Sequence, residues 1–278
     1  MTSDRMPVQL SRVLRFARFP IAIGLIGVGL CALLSCTSNP APTPREIAAA
    51  VPANVGFSDR SSWLPWEVAR QKHLFERHRA NVDLKWFDRY AESVSALESG
   101  LLDANNQRLT DTIRAIALGE EWAIVLVTDL ADGNLPNFGH LAVTRQQIED
   151  RPEIVQGLVN AWFDSLDYIR SQPDKADRIA AKFAQKRANF TATPTTTPFG
   201  LEENLKVLTP GNDITHLSYA AEAIAGVLLE NGSISVRPDL SQLLDDRFVK
   251  AYKLGMGNFI TSPPNPHRKF IGPRYFAK

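Results

Sequence analysis

The amino-acid sequence predicts an α/β fold in which a parallel sheet is flanked by helices. Strand and helix patterns alternate between residues 54 and 134, which is typical of βαβ units. The run Ala123–Asp129 (AIVLVTD) is continuous and rich in β-branched residues, as expected for a strand buried on both faces. Helical patterns dominate from residue 146 onward. Together these observations favour an open sheet in the first half, with helices packed around it.

The elements follow in order along the chain. Strands are predicted at 55–58, 81–88, 101–107, 123–129 and 140–144. The second of these alternates apolar Val82, Leu84 and Trp86 with polar residues, the period of a strand. Helices are predicted at 67–75, 93–99, 111–118, 146–170, 174–186, 202–208, 216–230 and 243–254. Glycines end two of these helices, and Pro152 is expected at a helix start.

The first 35 residues predict a bacterial secretion signal. Four arginines and a single acid, Asp4, precede an uncharged run from Phe19 to Ser35. The run ends in Leu33-Leu34-Ser35-Cys36, which resembles the lipobox of bacterial lipoproteins. That resemblance implies cleavage before Cys36 and its modification with fatty acyl chains such as palmitate, which hold a domain at a membrane. An uncleaved N-terminal anchor is the alternative, because 17 apolar residues lie at the lower limit for a membrane span.

Composition excludes several functional classes. Removal of the signal leaves a net charge of about −2, which gives no electrostatic basis for nucleic-acid binding. The only other cysteine, Cys31, lies in the signal, so no disulfide or cysteine-based metal site is expected. Five scattered histidines lack metal-ligand spacing, and no nucleotide-binding or hydrolase motif occurs. We therefore expect no enzyme, no cofactor and no metal.

Polar residues follow the predicted strands, where ligands bind in open parallel sheets. Three of these turns carry an arginine, namely Arg60, Arg89 and Arg108. These arginines either converge on a small anion beside helix N-termini or pair with neighbouring acids. Trp63, after the first strand, either covers an apolar part of a ligand or belongs to the core.

Most of the chain after the signal resembles the solute-binding proteins of bacterial ABC importers of the nitrate, sulfonate and taurine class, with their thiamine-precursor-binding relatives. The matching segments are WLPWEVARQKHLFE, VDLKWFDRYAESVSALESGLLDANNQRLTDTIRAIALG and IVLVTDLADGN, followed by GHLAVTRQQIEDRPEIVQGLVNAWFDSLDYIRSQPDKA and FGLEENLKVLTPGNDITHLSYAAEAIAGVLLENGSISVRPDLSQLLDDRFVKAY. The resemblance implies a periplasmic binding protein of type II. Such a protein closes two lobes on a solute and presents it to an ABC permease and its ATPase.

Carried over by position, the resemblance implies ligand contacts from the first lobe. These residues are Ser61, Ser62, Trp63, Asp88, Arg89, Ser93, Asn106, Gln107 and Asp129. One departure stands out: Asp132-Gly133-Asn134 runs almost directly into the block that normally follows the second lobe. The sequence therefore predicts that most of the second lobe is missing.

These observations divide the chain into six parts. They are a lipoprotein signal (1–35), a flexible tether (36–53), the first lobe (54–134), a mostly helical remnant of the second lobe (135–188), a helical return onto the first lobe (189–258) and a loose tail (259–278). The expected function is a membrane-tethered, extracytoplasmic solute-binding component for a small anion. A non-transporting sensory or interaction lipoprotein is the alternative. An enzyme resembling the thiamine-pyrimidine synthases is disfavoured, because those proteins need a cysteine-rich stretch.

Overall fold

The computed structural model describes residues 51–58, 62–131, 136–187, 190 and 196–255. The predicted signal, the lipidation site Cys36, nearly all of the tether and the predicted tail therefore lie outside the described residues. Among the predicted contact residues, Ser61 also lies outside them, as does Arg60.

Five strands form one sheet in the described part of the chain, in the order β2-β1-β3-β5-β4. Their bounds are β1 Ala53–Phe57, β2 Val82–Trp86, β3 Ala104–Arg108, β4 Trp122–Ala131 and β5 Asn137–Thr144. Each of them falls at a predicted strand. The predicted α/β class with a sheet flanked by helices is confirmed.

The sheet is mixed, and this corrects the prediction of a parallel one. β1 pairs in parallel with both β2 and β3, as expected, but β5 is antiparallel to β3 and to β4. The reason is the short connection after β4. Only five residues separate Ala131 from Asn137, which pair with each other across the turn. Such a short connection returns a strand antiparallel, since a parallel return needs a long crossover.

Ten helices occur in the described residues. Their bounds are α1 Leu64–Gln71, α2 Leu74–Arg77, α3 Tyr90–Glu98, α4 Leu109–Ala117, α5 Arg145–Asp150, α6 Pro152–Ser171, α7 Pro173–Ala184, α8 Leu201–Leu208, α9 Leu217–Glu230 and α10 Arg247–Lys253. The helix predicted over 146–170 is divided into α5 and α6, with Pro152 in the first turn of α6 as expected. Proline suits that position because its missing N–H has no partner within the helix.

The helices pack in contact with both the sheet and one another. α3 and α4 lie against β3, and α9 covers α4. α1 packs against α6 and α7, while α6, α8 and α10 contact β4. The largest fully buried side chains include Trp66 of α1 and Trp162 of α6, whose ring centroids are 5.0 Å apart. These helices thereby bury the apolar residues of the sheet in one large core and in a smaller cluster around Leu97, Trp122 and Ala142.

β4 is an edge strand by position, yet its first eight residues are buried. Later segments of the chain satisfy its outer backbone groups. The Asn204 side chain accepts from the Val127 N–H at 2.7 Å and donates to the Val127 carbonyl at 2.9 Å. Ile124 exchanges backbone hydrogen bonds with Leu243 and Asp245. The exposed edge that would favour aggregation is thus covered, which explains the apolar composition of the AIVLVTD run.

The predicted division into lobes stays a prediction. β5, assigned to the remnant of the second lobe, lies within the sheet between β3 and β4. α6, assigned to the same remnant, packs against α1. No helix in the described residues combines the length and the apolar character that a membrane span requires.

Candidate functional site

A buried ion pair lies at the carboxyl ends of β3 and β4. The Arg108 guanidinium donates from Nη1 to Asp129 Oδ1 at 2.8 Å, and the two side chains are 9% and 0% exposed. Both residues are register partners of Gly139 on the intervening β5. The ion pair therefore spans β5 directly above a residue that has no side chain.

Gly139 is required for this close approach. A Cβ atom at this position would lie 1.8 Å from Asp129 Oδ1 and 3.0 Å from Arg108 Nη1. Any larger residue would force the ion pair apart, because contacts this short do not occur between non-bonded atoms. The requirement is steric and concerns the side chains of the two neighbouring strands.

The second carboxylate oxygen of Asp129 holds two other segments. Oδ2 accepts from the Ser62 backbone N–H at 3.0 Å and from the Ser62 hydroxyl at 3.1 Å. The Thr196 hydroxyl donates to the same oxygen. Asp129 thereby fixes the entry to α1 and the segment before α8 to the end of the sheet. A buried carboxylate is stable only when its oxygens are bonded in this way.

A polar chain runs along the sheet on the side of α3 and α4. Asn105 Nδ2 donates to Gln107 Oε1 at 2.9 Å, and Gln107 Nε2 donates to Thr112 Oγ1 at 2.7 Å. Thr112 Oγ1 lies 2.8 Å from His140 Nε2. Ser93, at 3.2 Å from Asn105 Nδ2, joins the same chain. All five side chains are fully buried.

Burial lowers the pKa of His140 to about 3, helped by the positive charge of Arg108 and opposed by a hydrogen bond to the Phe138 carbonyl. His140 is therefore neutral at the pH of most environments. A neutral imidazole donates through one nitrogen and accepts through the other. That allows it to bridge Thr112 and Phe138.

Asn106 lies on the opposite face of β3 from Gln107, since successive strand residues point to opposite faces. Its amide satisfies all its neighbours when Nδ2 donates to Thr128 Oγ1 and to the His140 carbonyl, each at 3.1 Å, and Oδ1 accepts from the Trp66 indole N–H at 3.3 Å. Four of the predicted contact residues thus lie in the interior, bonded to protein partners: Ser93, Asn106, Gln107 and Asp129.

The two predicted contact residues after β2 lie at the surface. Asp88 accepts from the Trp86 indole N–H at 2.7 Å, and Arg89 donates from Nε to Glu92 at 2.7 Å. Arg89 and Arg108 are therefore each paired with a carboxylate, which is the alternative that the sequence left open. They lie in different environments, one exposed and one buried.

Trp63 and Ser62 reach a cavity of about 330 Å³ beside this end of the sheet. Three segments line it: the entry to α1 (Ser62–Pro65), the end of α6 (Leu166, Ile169 and Arg170) and the segment leading into α8 (Thr196–Pro198, Gly200 and Glu203). We call it the α1–α6 cavity. Trp63 is 3% exposed and also stacks on Phe183 at 4.9 Å, so it serves both the core and the cavity wall.

The sequence did not single out the α6 and α8 contributions to this cavity. Leu166 and Ile169 continue the apolar stripe of a long helix, and Thr196–Pro198 lie in a polar stretch predicted as a loop. The one available signal was the position of that loop directly before a helix. No group of three or more histidine, cysteine or acidic side chains within the described residues is placed to hold a metal ion.

The solved structures that resemble this chain include two with TM-scores above 0.5. The first is the Candida albicans CA3427 gene product, described as having the generic periplasmic binding protein fold (TM-score 0.52, 9% identity, 70% of this chain and 96% of that chain). The second is the alkanesulfonate-binding protein SsuA of Xanthomonas axonopodis pv. citri (TM-score 0.51, 9% identity, 70% of this chain and 98% of that chain).

The chain has the periplasmic binding protein fold. This confirms the resemblance stated from the sequence at the level of fold. No protein-family model and no curated protein matches the sequence. At 9% identity the similarity concerns architecture, and it does not transfer a ligand from either structure.

Replacement of Gly139 with alanine should destabilise the protein by about 1–3 kcal/mol, the usual cost of overpacking a dense interior. The added Cβ atom would displace Asp129 from Arg108. Gly226→Ala is the matched control, because it lies inside α9 with its nearest neighbour, Arg237, 3.8 Å away. That control should be neutral or stabilising by up to about 1 kcal/mol. Urea unfolding measures both variants, and equal stabilities would contradict the steric role of Gly139.

The low pKa of His140 predicts a loss of stability in acid. Below pH 6.5 the His140 imidazole is protonated in the unfolded chain. In the folded chain it stays neutral until the pH approaches 3. The free energy of unfolding should therefore fall by about 1.4 kcal/mol per pH unit between these values on account of His140. His140→Gln should flatten the pH dependence measured by urea unfolding at several pH values. Gly226→Ala, which removes no titratable group, should leave the slope unchanged. An equally steep slope in the His140 variant would contradict the assignment.

Proposed function

We propose that this protein is an extracytoplasmic, non-enzymatic solute-binding component of an ABC importer. Its ligand is a small organic anion with an apolar body, of the sulfonate type, and its partners are a permease and an ATPase. The α1–α6 cavity at the strand ends of a periplasmic binding protein fold is the observation that carries this proposal. In open α/β sheets, ligands bind beside the carboxyl ends of the strands.

The chemistry of the cavity suits such an anion. Its volume of about 330 Å³ falls within the range of small-molecule sites. Trp63, Leu166 and Ile169 offer apolar surface for the body of the ligand. Arg170 supplies a cation at the rim, where it is also paired with Asp167, while the Glu203 carboxylate in the lining accepts from the Gly200 N–H. The Ser62 and Thr196 hydroxyls lie 3.3 Å apart beside the cavity, and either would donate to the ligand only by turning its O–H away from Asp129 Oδ2.

The predicted contacts divide into three sets under this proposal. Ser62 and Trp63 face the cavity directly, and Asp129 supports it from behind by holding Ser62 and Thr196. Ser93, Asn106 and Gln107 act indirectly, by fixing β3 and the start of α4.

Asp88 and Arg89 lie at the surface and are proposed as outer contacts only, together with Ser61 outside the described residues.

A reduced second lobe is part of the proposal. The five-residue connection between β4 and β5 supports it, because this is the point at which the resemblance calls for a long segment. A solute held by one lobe is less completely enclosed than one held between two lobes. We therefore expect weaker affinity than in a two-lobed relative, since small-molecule sites usually bury most of the ligand.

Membrane attachment through acylated Cys36 completes the proposal. The basic and apolar pattern of residues 1–35 and the Leu33–Cys36 motif support it. The proline-containing tether over residues 36–53 would give the folded part reach from the membrane. Metabolic labelling with a palmitate analogue, with Cys36→Ser as the unlabelled control, tests the attachment.

A non-transporting sensory or interaction lipoprotein is the second candidate. The observation in its favour is the state of the strand ends, where Ser93, Asn106, Gln107 and Asp129 are buried and bonded to one another or to protein partners. A receptor that has lost solute binding needs only to remain folded, and these hydrogen bonds serve that purpose. Solute binding itself discriminates between the two candidates.

Thermal unfolding with a panel of taurine, alkanesulfonates, nitrate, pyrimidine precursors and MOPS tests solute binding. MOPS is included because the Xanthomonas protein is described as bound to it. A ligand at 100 times its dissociation constant should stabilise the folded chain by about 2.7 kcal/mol. At least one organic anion should produce such a shift.

Ile169→Trp should abolish that shift by filling the α1–α6 cavity, while the variant remains folded because Ile169 is only half-buried. Lys175→Gln, at an exposed position of α7, is the control and should retain the shift. Absence of a shift with every compound would reject solute binding and leave the sensory or interaction candidate. A shift that survives in Ile169→Trp would place the ligand elsewhere.

A further inference from the structure

A second cavity lies at the carboxyl ends of β1 and β2, between α1 and the end of α7. Its volume is about 280 Å³, and the last residues of the two strands, Phe57 and Trp86, form part of its wall. Four cations also line it: Arg70, Lys182, Lys186 and Arg187. We call it the basic groove.

The single acid of the basic groove is already neutralised. Glu67 is 1% exposed and receives hydrogen bonds from Arg70 Nη2 at 2.6 Å and Arg70 Nε at 2.9 Å. Gln71 Nε2 donates to it at 2.9 Å. Glu67 and Arg70 thus offset each other, so the groove carries an excess of three positive charges from the end of α7.

Those three cations follow one another closely along the chain. Lys182 lies in the last turn of α7, which ends at Ala184, and Lys186 and Arg187 come just after it. Within the described residues, none of the three is within ion-pair distance of a carboxylate. An anion in the groove would supply the ion-pair partner that none of the three has within the described residues.

Arg187 is held in place by aromatic rings. Its guanidinium carbon lies 3.4 Å from the Phe183 ring centroid and 4.9 Å from that of Trp86. Nη1 donates to the Phe183 carbonyl at 3.0 Å, and Nε is buried without an acceptor among the described residues. Burial also lowers the pKa of Arg187. A poorly hydrated, positioned guanidinium is the type of group that binds carboxylate or phosphate oxygens.

We propose that the basic groove is a binding site for a small soluble anion with two or more negative charges, carried by phosphate or carboxylate groups. Three clustered cations favour a multivalent anion over a monovalent one, because each added charge meets another cation. A cavity of about 280 Å³ limits the ligand to a small molecule.

This site is separate from the α1–α6 cavity and does not rest on the solute-binding proposal. The two cavities share no lining residue. Trp63 lines the first and Phe183 the second, and these two rings stack at 4.9 Å to form the wall between them. Each site is therefore testable with a variant that leaves the other unchanged.

Isothermal titration calorimetry on the full-length chain in a nonionic detergent tests the basic groove. The probes are pyrophosphate and citrate at low ionic strength, with monovalent methanesulfonate for comparison. Both polyanions should bind with at least about tenfold higher affinity than methanesulfonate, and added salt should weaken them. The double variant Lys186→Gln and Arg187→Gln should lose about tenfold or more in pyrophosphate affinity.

Three further variants make the result decisive. Lys182→Gln alone should weaken pyrophosphate binding by a few-fold, and it tests the site even if the double variant fails to fold. Lys175→Gln, on the same helix but not in the groove, should leave the affinity unchanged. Ile169→Trp should likewise retain pyrophosphate binding, which separates this result from that of solute binding. Absence of saturable polyanion binding, or equal losses in Lys175→Gln and in the double variant of Lys186 and Arg187, would overturn the proposal.

Discussion

The ion pair between Arg108 and Asp129 determines how the strand ends of this protein are organised. Removing two charges from water is costly, and the cost is offset only when the remaining hydrogen-bonding positions are filled. Here Asp129 accepts from Arg108, from two groups of Ser62 and from Thr196. One carboxylate thereby joins β3, β4, the entry to α1 and the segment before α8. The whole arrangement depends on the missing side chain of Gly139.

The charges of Arg108 and Asp129 neutralise each other, and this has a consequence for ligand binding. At the end of the sheet where α/β proteins usually bind ligands, the polar side chains of β3 and β4 are occupied by one another. Open space remains on either side: the largely apolar α1–α6 cavity near Ser62 and the basic groove near Phe57 and Trp86. The stacked rings of Trp63 and Phe183 separate them. Our proposals therefore place ligands beside the ion pair and leave the ion pair itself intact.

Much of the fold was predictable because its signals are local. The AIVLVTD run and the alternation in residues 82–86 mark strands, and Pro152 marks a helix start. The reversal of β5 was not predicted, since pairing direction depends on which strands meet across a short turn. The contact residues stay a prediction: adjacent positions in the strand predicted at 101–107 already imply that Asn106 and Gln107 face opposite sides, but the sequence does not show that both side chains are buried and bonded to protein groups. Nor does the sequence show that residues from α6 and the segment before α8 complete a cavity with Ser62.

NMR chemical-shift mapping with a saturating organic anion such as MOPS tests most directly whether solute binds beside a closed strand end. The account predicts that backbone amide shifts concentrate at residues 62–66, at the end of α6 around Ile169 and at Thr196–Gly200. The amides of Ser93 and Gln107 should remain unchanged, because their side chains are already bonded within the interior. Shifts centred on Ser93 and Gln107, with none around Ile169, would show that the buried polar chain opens to receive the ligand and would contradict the account.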